Sequence, residues 1–132
     1  MSHSIDAHIG RDHYRTEIRT ATNSIIADEP VDNGGMGLGF SPYQLLAAAL
    51  GGCTNATVRM YADRKEWPLE AIDTHVVIEH GESLDVTTIH RTIRFTGALT
   101  DEQRSRLLHI AERCPIHRTL SGELKIETRM VG

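Results

Sequence analysis

The chain has 132 residues, the size of one domain at about 100–200 residues each, so a single domain over 1–132 is expected. Hydrophobic residues make up 39% and charged residues 24%, an ordinary soluble composition, and with two Phe, three Tyr and one Trp the core must come from Ile, Leu, Val and Ala. A net charge of −4 argues against nucleic acid, the apolar run Leu45–Cys53 is about half the length of a membrane span, and Met1-Ser2-His3-Ser4 does not start a secretory signal, so a cytoplasmic protein is expected.

The N-terminal third reads as strands. His13 to Thr20 is rich in β-formers, and Asn23-Ser24 marks a turn before Ile25-Ile26. Four glycines between Gly34 and Gly39 predict a flexible loop, too irregular for a phosphate cradle. Ser41-Pro42 then opens a helix, with serine as its cap and proline in the first turn. No further proline intervenes until Trp67-Pro68, so a helix over 42–66, roughly 37 Å long, is predicted. Its first half, Leu45 to Cys53, is apolar or small on every side, which predicts burial all round. One short chain has too little sheet to cover such a helix, and Ala47–Ala49 with Gly51-Gly52 would admit a second helix closely. A homodimer with this helix at its centre follows.

Ile72–His80 and Thr87–Thr96 read as two strands joined by a turn at Gly81-Glu82-Ser83. The second places Ile89, Ile93 and Phe95 on one face with Arg91 between them. Thr100 caps the next helix, whose first turn carries Asp101 and Glu102. Pro115 stops that helix just after Cys114, a helical turn runs from Ile116 to Leu120, and Glu123 to Val131 alternates as a closing strand. The order predicts an α+β fold.

Two cysteines, Cys53 and Cys114, remain in a chain where a stable structural disulfide is disfavoured. Mid-helix among Leu46, Ala49, Leu50 and Met60, Cys53 reads by position as a buried small hydrophobe. Cys114, ahead of Pro115, can cap the following turn, where free N–H groups favour a thiolate; passive burial fits it equally. Cys114-Pro115-Ile116-His117 also has the spacing of a metal-ligand pair, but Cys53 brings no second pair, so no metal is expected. No Gly-x-Ser-x-Gly or His-Glu-x-x-His occurs.

Ser41-Pro42-Tyr43-Gln44-Leu45-Leu46-Ala47-Ala48-Ala49-Leu50-Gly51-Gly52-Cys53-Thr54, Met60-Tyr61-Ala62-Asp63-Arg64-Lys65 and Cys114-Pro115-Ile116-His117-Arg118-Thr119-Leu120 together resemble the OsmC/Ohr family, and its OsmC-like branch in particular. The resemblance implies an intertwined homodimer of long central helices wrapped by curved antiparallel sheets, acting as a thiol-dependent peroxidase on organic hydroperoxides and, as a further substrate, hydrogen peroxide. Its attacking cysteine falls on Cys53 and its resolving cysteine on Cys114. The sulfenic acid of Cys53 would be closed by Cys114, which needs Cα atoms about 4.4–6.8 Å apart. An external dithiol or lipoyl group would reduce the disulfide, with no bound cofactor. A cation must favour the thiolate, and the resemblance places it on Arg11, with Arg15 and Arg19 as substitutes. The acid that would anchor that arginine is replaced here by Tyr43, beside Gln44. Two other readings are a non-enzymatic dimeric module binding a small apolar ligand and a redox-sensing or zinc site on Cys114 and His117.

Overall fold

The computed structural model describes residues 1–132. They form two compact parts, Met1–Leu46 and Ala47–Gly132, with a mixed α+β content.

In the first part three short antiparallel strands, β1 (Asp6–His8), β2 (Thr16–Arg19) and β3 (Ser24–Ala27), pair in the order β1-β2-β3. β2 falls inside the predicted 13–20 strand but is shorter. β1 has no counterpart in the sequence reading, because three exposed residues, Asp-Ala-His, carry no apolar alternation. The glycine-rich segment is not the free loop its composition suggests. Gly34, Gly35 and Gly37 donate to the carbonyls of Val31, Pro30 and Glu29 at 3.0–3.1 Å, and a Cβ on Gly39 would collide with the Ile26 carbonyl. Close backbone approach is what Gly35 and Gly39 permit.

Helix α1 (Pro42–Lys65) matches its predicted span. Its N-terminus is closed by a capping box: Gln44 N donates to Ser41 Oγ at 3.2 Å and Ser41 N to Gln44 Oε1 at 2.9 Å. At its C-terminus Glu66 turns left-handed, with φ of 56°, and Trp67 N donates to the Ala62 carbonyl, ending the helix ahead of Pro68.

In the second part, α1 leads into a long hairpin of β4 (Leu69–His80) and β5 (Thr87–Gly97), then α2 (Asp101–Ala111) and α3 (Pro115–Ser121). The hairpin register runs Ile72 to Phe95, Thr74 to Ile93 and Ile78 to Ile89. Alternate residues of β5 turn inward, as period-two patterning requires. Gly97, with φ of 146°, lies where a Cβ would meet the Pro68 carbonyl, so only glycine fits there. Thr100 caps α2 with a full capping box to Gln103. The core joins Val58 and Ala62 of α1 to Leu69, Leu107, Ile110 and Ala111, with Ile72, Ile93 and Phe95 packed beside them.

Within one chain α1 carries one buried stripe, Leu50, Thr54, Val58 and Ala62 at four-residue spacing, while Leu46 and Met60 are exposed, as expected where one chain has too little sheet to cover the helix. Hairpin and α2 make one covering layer, and one layer covers one face. One expectation needs correction. Residues 123–131 form no strand; Leu124, Ile126, Met130 and Val131 are exposed, because alternation makes a strand only where another strand completes its ladder.

Candidate functional site

The two cysteines are free thiols carried by α1 and by the start of α3. Cys53 is half-buried and Cys114 fully buried. Pro115 stands in the first turn of α3, so Cys114 becomes its N-cap, and Cys114 Sγ accepts the His117 backbone N–H at 3.3 Å. The elements carrying the two thiols touch: Thr54, the residue after Cys53, sits fully buried with its Oγ1 3.9 Å from Cys114 Sγ.

Thr54 and His117 share a further partner. Arg91, on the inward face of β5, donates from Nη1 to Thr54 Oγ1 at 3.0 Å and from Nη2 to His117 Nδ1 at 2.9 Å. An imidazole nitrogen that accepts from a guanidinium carries a lone pair, so the hydrogen of neutral His117 resides on Nε2. Thr54 Oγ1 donates its own hydrogen to the Leu50 carbonyl at 2.7 Å. Beside this network a cavity of about 250 Å³ is lined by the apolar Leu50, Ile89 and Leu120 and by the polar Thr87, Arg91, His117 and Ser121. Small and of mixed lining, it suits a compact amphipathic molecule.

Arg11 lies in the first part of the chain, exposed and without a hydrogen bond or ion pair. Arg15 is exposed as well, and Arg19 pairs with Glu17 at 3.0 Å on the surface. The cysteine-bearing elements are met by Arg91, through Thr54 and His117, an arginine not among the expected cations. One signal pointed to it: an arginine in phase with Ile89, Ile93 and Phe95 has to face inward. Gln44, next to the position of the expected acid, is occupied by the capping box of α1. No group of three or more His, Cys, Asp or Glu is arranged to hold a metal, and the Arg91 guanidinium against His117 Nδ1 opposes a cation there.

Two other polar features stand apart from the thiols. A larger cleft, about 620 Å³, is lined by Tyr61, Trp67, Gln103, Arg106 and His109 and includes neither cysteine. Arg106 Nε donates to the Tyr61 hydroxyl at 3.0 Å; that hydrogen bond, which outweighs partial burial, with the charges of Arg106, Lys65 and Arg113 holds the phenol below the usual tyrosine range. In the first part, Asp28 is buried and receives four backbone N–H groups: Tyr14 and Glu29 on Oδ1 at 3.0 and 2.8 Å, Met36 and Leu38 on Oδ2 at 3.3 and 3.2 Å. Burial works to raise its pKa, and the four donors outweigh it to leave the value lowered. No helix is long and apolar enough to cross a membrane.

Comparison with known structures places this arrangement. A Psychrobacter arcticus protein named for osmotic stress induction and a detoxification response superposes with a TM-score of 0.77 at 27% identity, over 90% of this chain and 88% of that one. An OsmC-like protein from Mycoplasma pneumoniae gives 0.79 at 19%, over 92% and 89%. The organic hydroperoxide resistance protein OsmC of Legionella pneumophila gives 0.69 at 23%, over 92% and 90%. No curated protein matches the chain with significance. The family model described as OsmC-like protein matches residues 34–129, a stretch that includes both cysteines, Thr54, Arg91 and His117, and the chain belongs to the OsmC-like family.

Proposed function

We propose that this protein is a cysteine-dependent peroxidase that reduces organic hydroperoxides, with hydrogen peroxide as a further substrate. The observation that carries the reading is the contact of Thr54 with Cys114 Sγ, one residue from Cys53. Family membership supports it at a coarser level, since a related structure is named for organic hydroperoxide resistance.

Burial divides the roles. A peroxide can approach half-buried Cys53, whereas fully buried Cys114 needs access only to its partner sulfur. The Cys53 thiolate attacks the distal peroxide oxygen, the O–O bond breaks, and the alcohol leaves with a proton, giving a sulfenic acid. Cys114 attacks that sulfur, water departs, and a disulfide forms. An external dithiol or lipoyl reductant then restores both thiols. Arg11 keeps the role of a cation for Cys53 that the resemblance assigned to it. The open face of α1, with Leu46 and Met60, and the exposed apolar residues of 123–131 support a homodimer.

Adding tert-butyl hydroperoxide to reduced protein is expected to consume both thiols and leave an intramolecular disulfide in the intact mass. Cys114→Ser should leave a trappable sulfenic acid at Cys53, and Cys53→Ser should remove peroxide consumption. Undiminished consumption in Cys53→Ser would end this reading. A non-enzymatic small-ligand module is the second reading, favoured by the cavity beside Arg91 and by the loss of the expected acid at Tyr43. It stands if the reduced protein takes up no oxidant.

A further inference from the structure

Arg91 is an inward-facing, half-buried cation on β5, and both of its side-chain hydrogen bonds go to uncharged acceptors, Thr54 Oγ1 and His117 Nδ1. No carboxylate lies within ion-pair distance of it. A guanidinium drawn partly out of water is costly unless a negative charge faces it. His117 cannot supply that charge, and the Thr54 hydroxyl is neutral. What both acceptors share is the Cys114 sulfur: Thr54 Oγ1 stands 3.9 Å from it, and the His117 backbone N–H donates to it at 3.3 Å.

We propose that Arg91 is a positioning residue whose charge, acting through Thr54 and His117, favours the Cys114 thiolate and so speeds closure of the Cys53 sulfenic acid. The inference rests on the peroxidase reading and deepens it, assigning a residue to the second chemical step. In that step the Cys114 thiolate attacks the sulfur of Cys53–SOH. The S–S bond forms as the S–O bond breaks, and the departing hydroxide takes the proton that Cys114 gave up, leaving as water.

Thr54 is suited to follow the change of charge. Beside a neutral thiol its hydrogen is held by the Leu50 carbonyl, and its oxygen can accept from S–H. Beside a thiolate, rotation about one bond turns that hydrogen to the sulfur, and the Arg91 donor on the same oxygen makes it a stronger donor. Arg113 and Arg118 flank Cys114 in sequence, but both are exposed and screened by water. Because Cys114 is fully buried, a half-buried charge two contacts away acts through less solvent and with greater effect.

The test separates attack from closure by rapid mixing with tert-butyl hydroperoxide, following sulfenic acid by dimedone capture and disulfide by intact mass. In Arg91→Met, closure is expected to fall relative to attack by about tenfold, the scale of one charge-assisted contact, so dimedone adduct at Cys53 rises. Arg91→Lys keeps the charge and should recover part of closure; Thr54→Val should slow closure with Arg91 in place. An unchanged ratio of the two steps in Arg91→Met overturns the proposal, as does equal slowing of both steps with no recovery in Arg91→Lys. A second measurement needs no peroxide. In a Cys53→Ser background, ultraviolet thiolate absorbance at fixed neutral pH reports Cys114 alone, and it should drop when Arg91 becomes Met. If that drop occurs while the protein with both cysteines reduces no peroxide, the peroxidase reading fails and the Arg91 assignment stands. Equal absorbance with Arg91 and with Met at that position overturns the assignment whatever the peroxide result.

Discussion

Residues 1–46 and 47–132 solve the folding problem with different materials. The first part has three short strands and only Ala27 and Asp28 among its fully buried residues; its glycine-rich segment is gathered by one carboxylate that accepts four backbone N–H groups. The second part is organised by an apolar stripe on α1, the β4–β5 hairpin and α2, and its buried polar network sits at the edge of that core. A carboxylate whose donors are backbone groups fixes the path of a loop but contributes little to apolar burial. A core of Leu, Ile and Val is less specific about any single bond and contributes more to global stability. Mutations in the two parts should therefore differ in kind as well as in size.

The largest effect on stability is expected at Leu107, which is fully buried and central to the second core. Leu107→Ala removes three side-chain carbons, Cγ and its two methyls, from close-packed surroundings and leaves a cavity, at a cost of about 2–5 kcal/mol. Urea unfolding checks it: the midpoint should fall with the slope unchanged. A loss below about 1 kcal/mol would mean that the core is looser than its packing implies, and the contrast with residues 1–46 would weaken.

Asp28 carries the next prediction, which is local. Its pKa lies below the ordinary aspartate value of 3.8, so the folded state favours the ionised form. The stabilisation it contributes is complete above about pH 4, where the unfolded chain is also ionised, and is lost as pH falls through the lowered folded value. Hydrogen exchange should show the Tyr14, Glu29, Met36 and Leu38 amides losing protection together on acidification. Asp28→Asn should lower their protection at neutral pH and abolish its dependence on acid. Amides that opened independently of one another would show that the carboxylate does not act as a common anchor.

These contrasts also explain what could be read in advance. The span of α1, the hairpin strands, the Thr100 cap and the cap position of Cys114 rest on local signals: proline and serine placement, period-two patterning, an acidic first turn. The partners of Arg91 lie 37 and 26 residues away, and those of Asp28 are backbone groups from Tyr14 to Leu38, whose side-chain identities carry no trace of the bond. Orientation was legible where contact was not: Arg91 had to face inward, but nothing local says that Thr54 and His117 would meet it. Residues 123–131 show the same limit from the other side, since their alternation is real and their ladder partner is absent from this chain. Composition reports which side chains of α1 prefer cover, and the number of layers within one chain decides which receive it there: Leu50, Thr54, Val58 and Ala62.

The smallest expected effect sharpens the comparison most directly, because each part contains the same device. Ser41 and Gln44 close one capping box, with bonds of 2.9 and 3.2 Å, and Thr100 and Gln103 close another, with bonds of 2.9 and 3.1 Å. Each satisfies two N–H groups that a helix start leaves unpaired. Ser41→Ala and Thr100→Ala are each expected to cost about 1 kcal/mol. The readouts should differ, however. α2 follows its cap with Leu107, Ile110 and Ala111 buried in the core, so losing the Thr100 cap should lower the global midpoint. The first buried residue of α1 is Leu50, two turns beyond Ser41, so losing that cap should appear first as faster exchange of the amides at Tyr43 and Gln44. If Ser41→Ala instead lowers the global midpoint by as much as Thr100→Ala, the start of α1 is held by the cooperative core, and the division between an anchored loop region and a packed one is drawn too sharply.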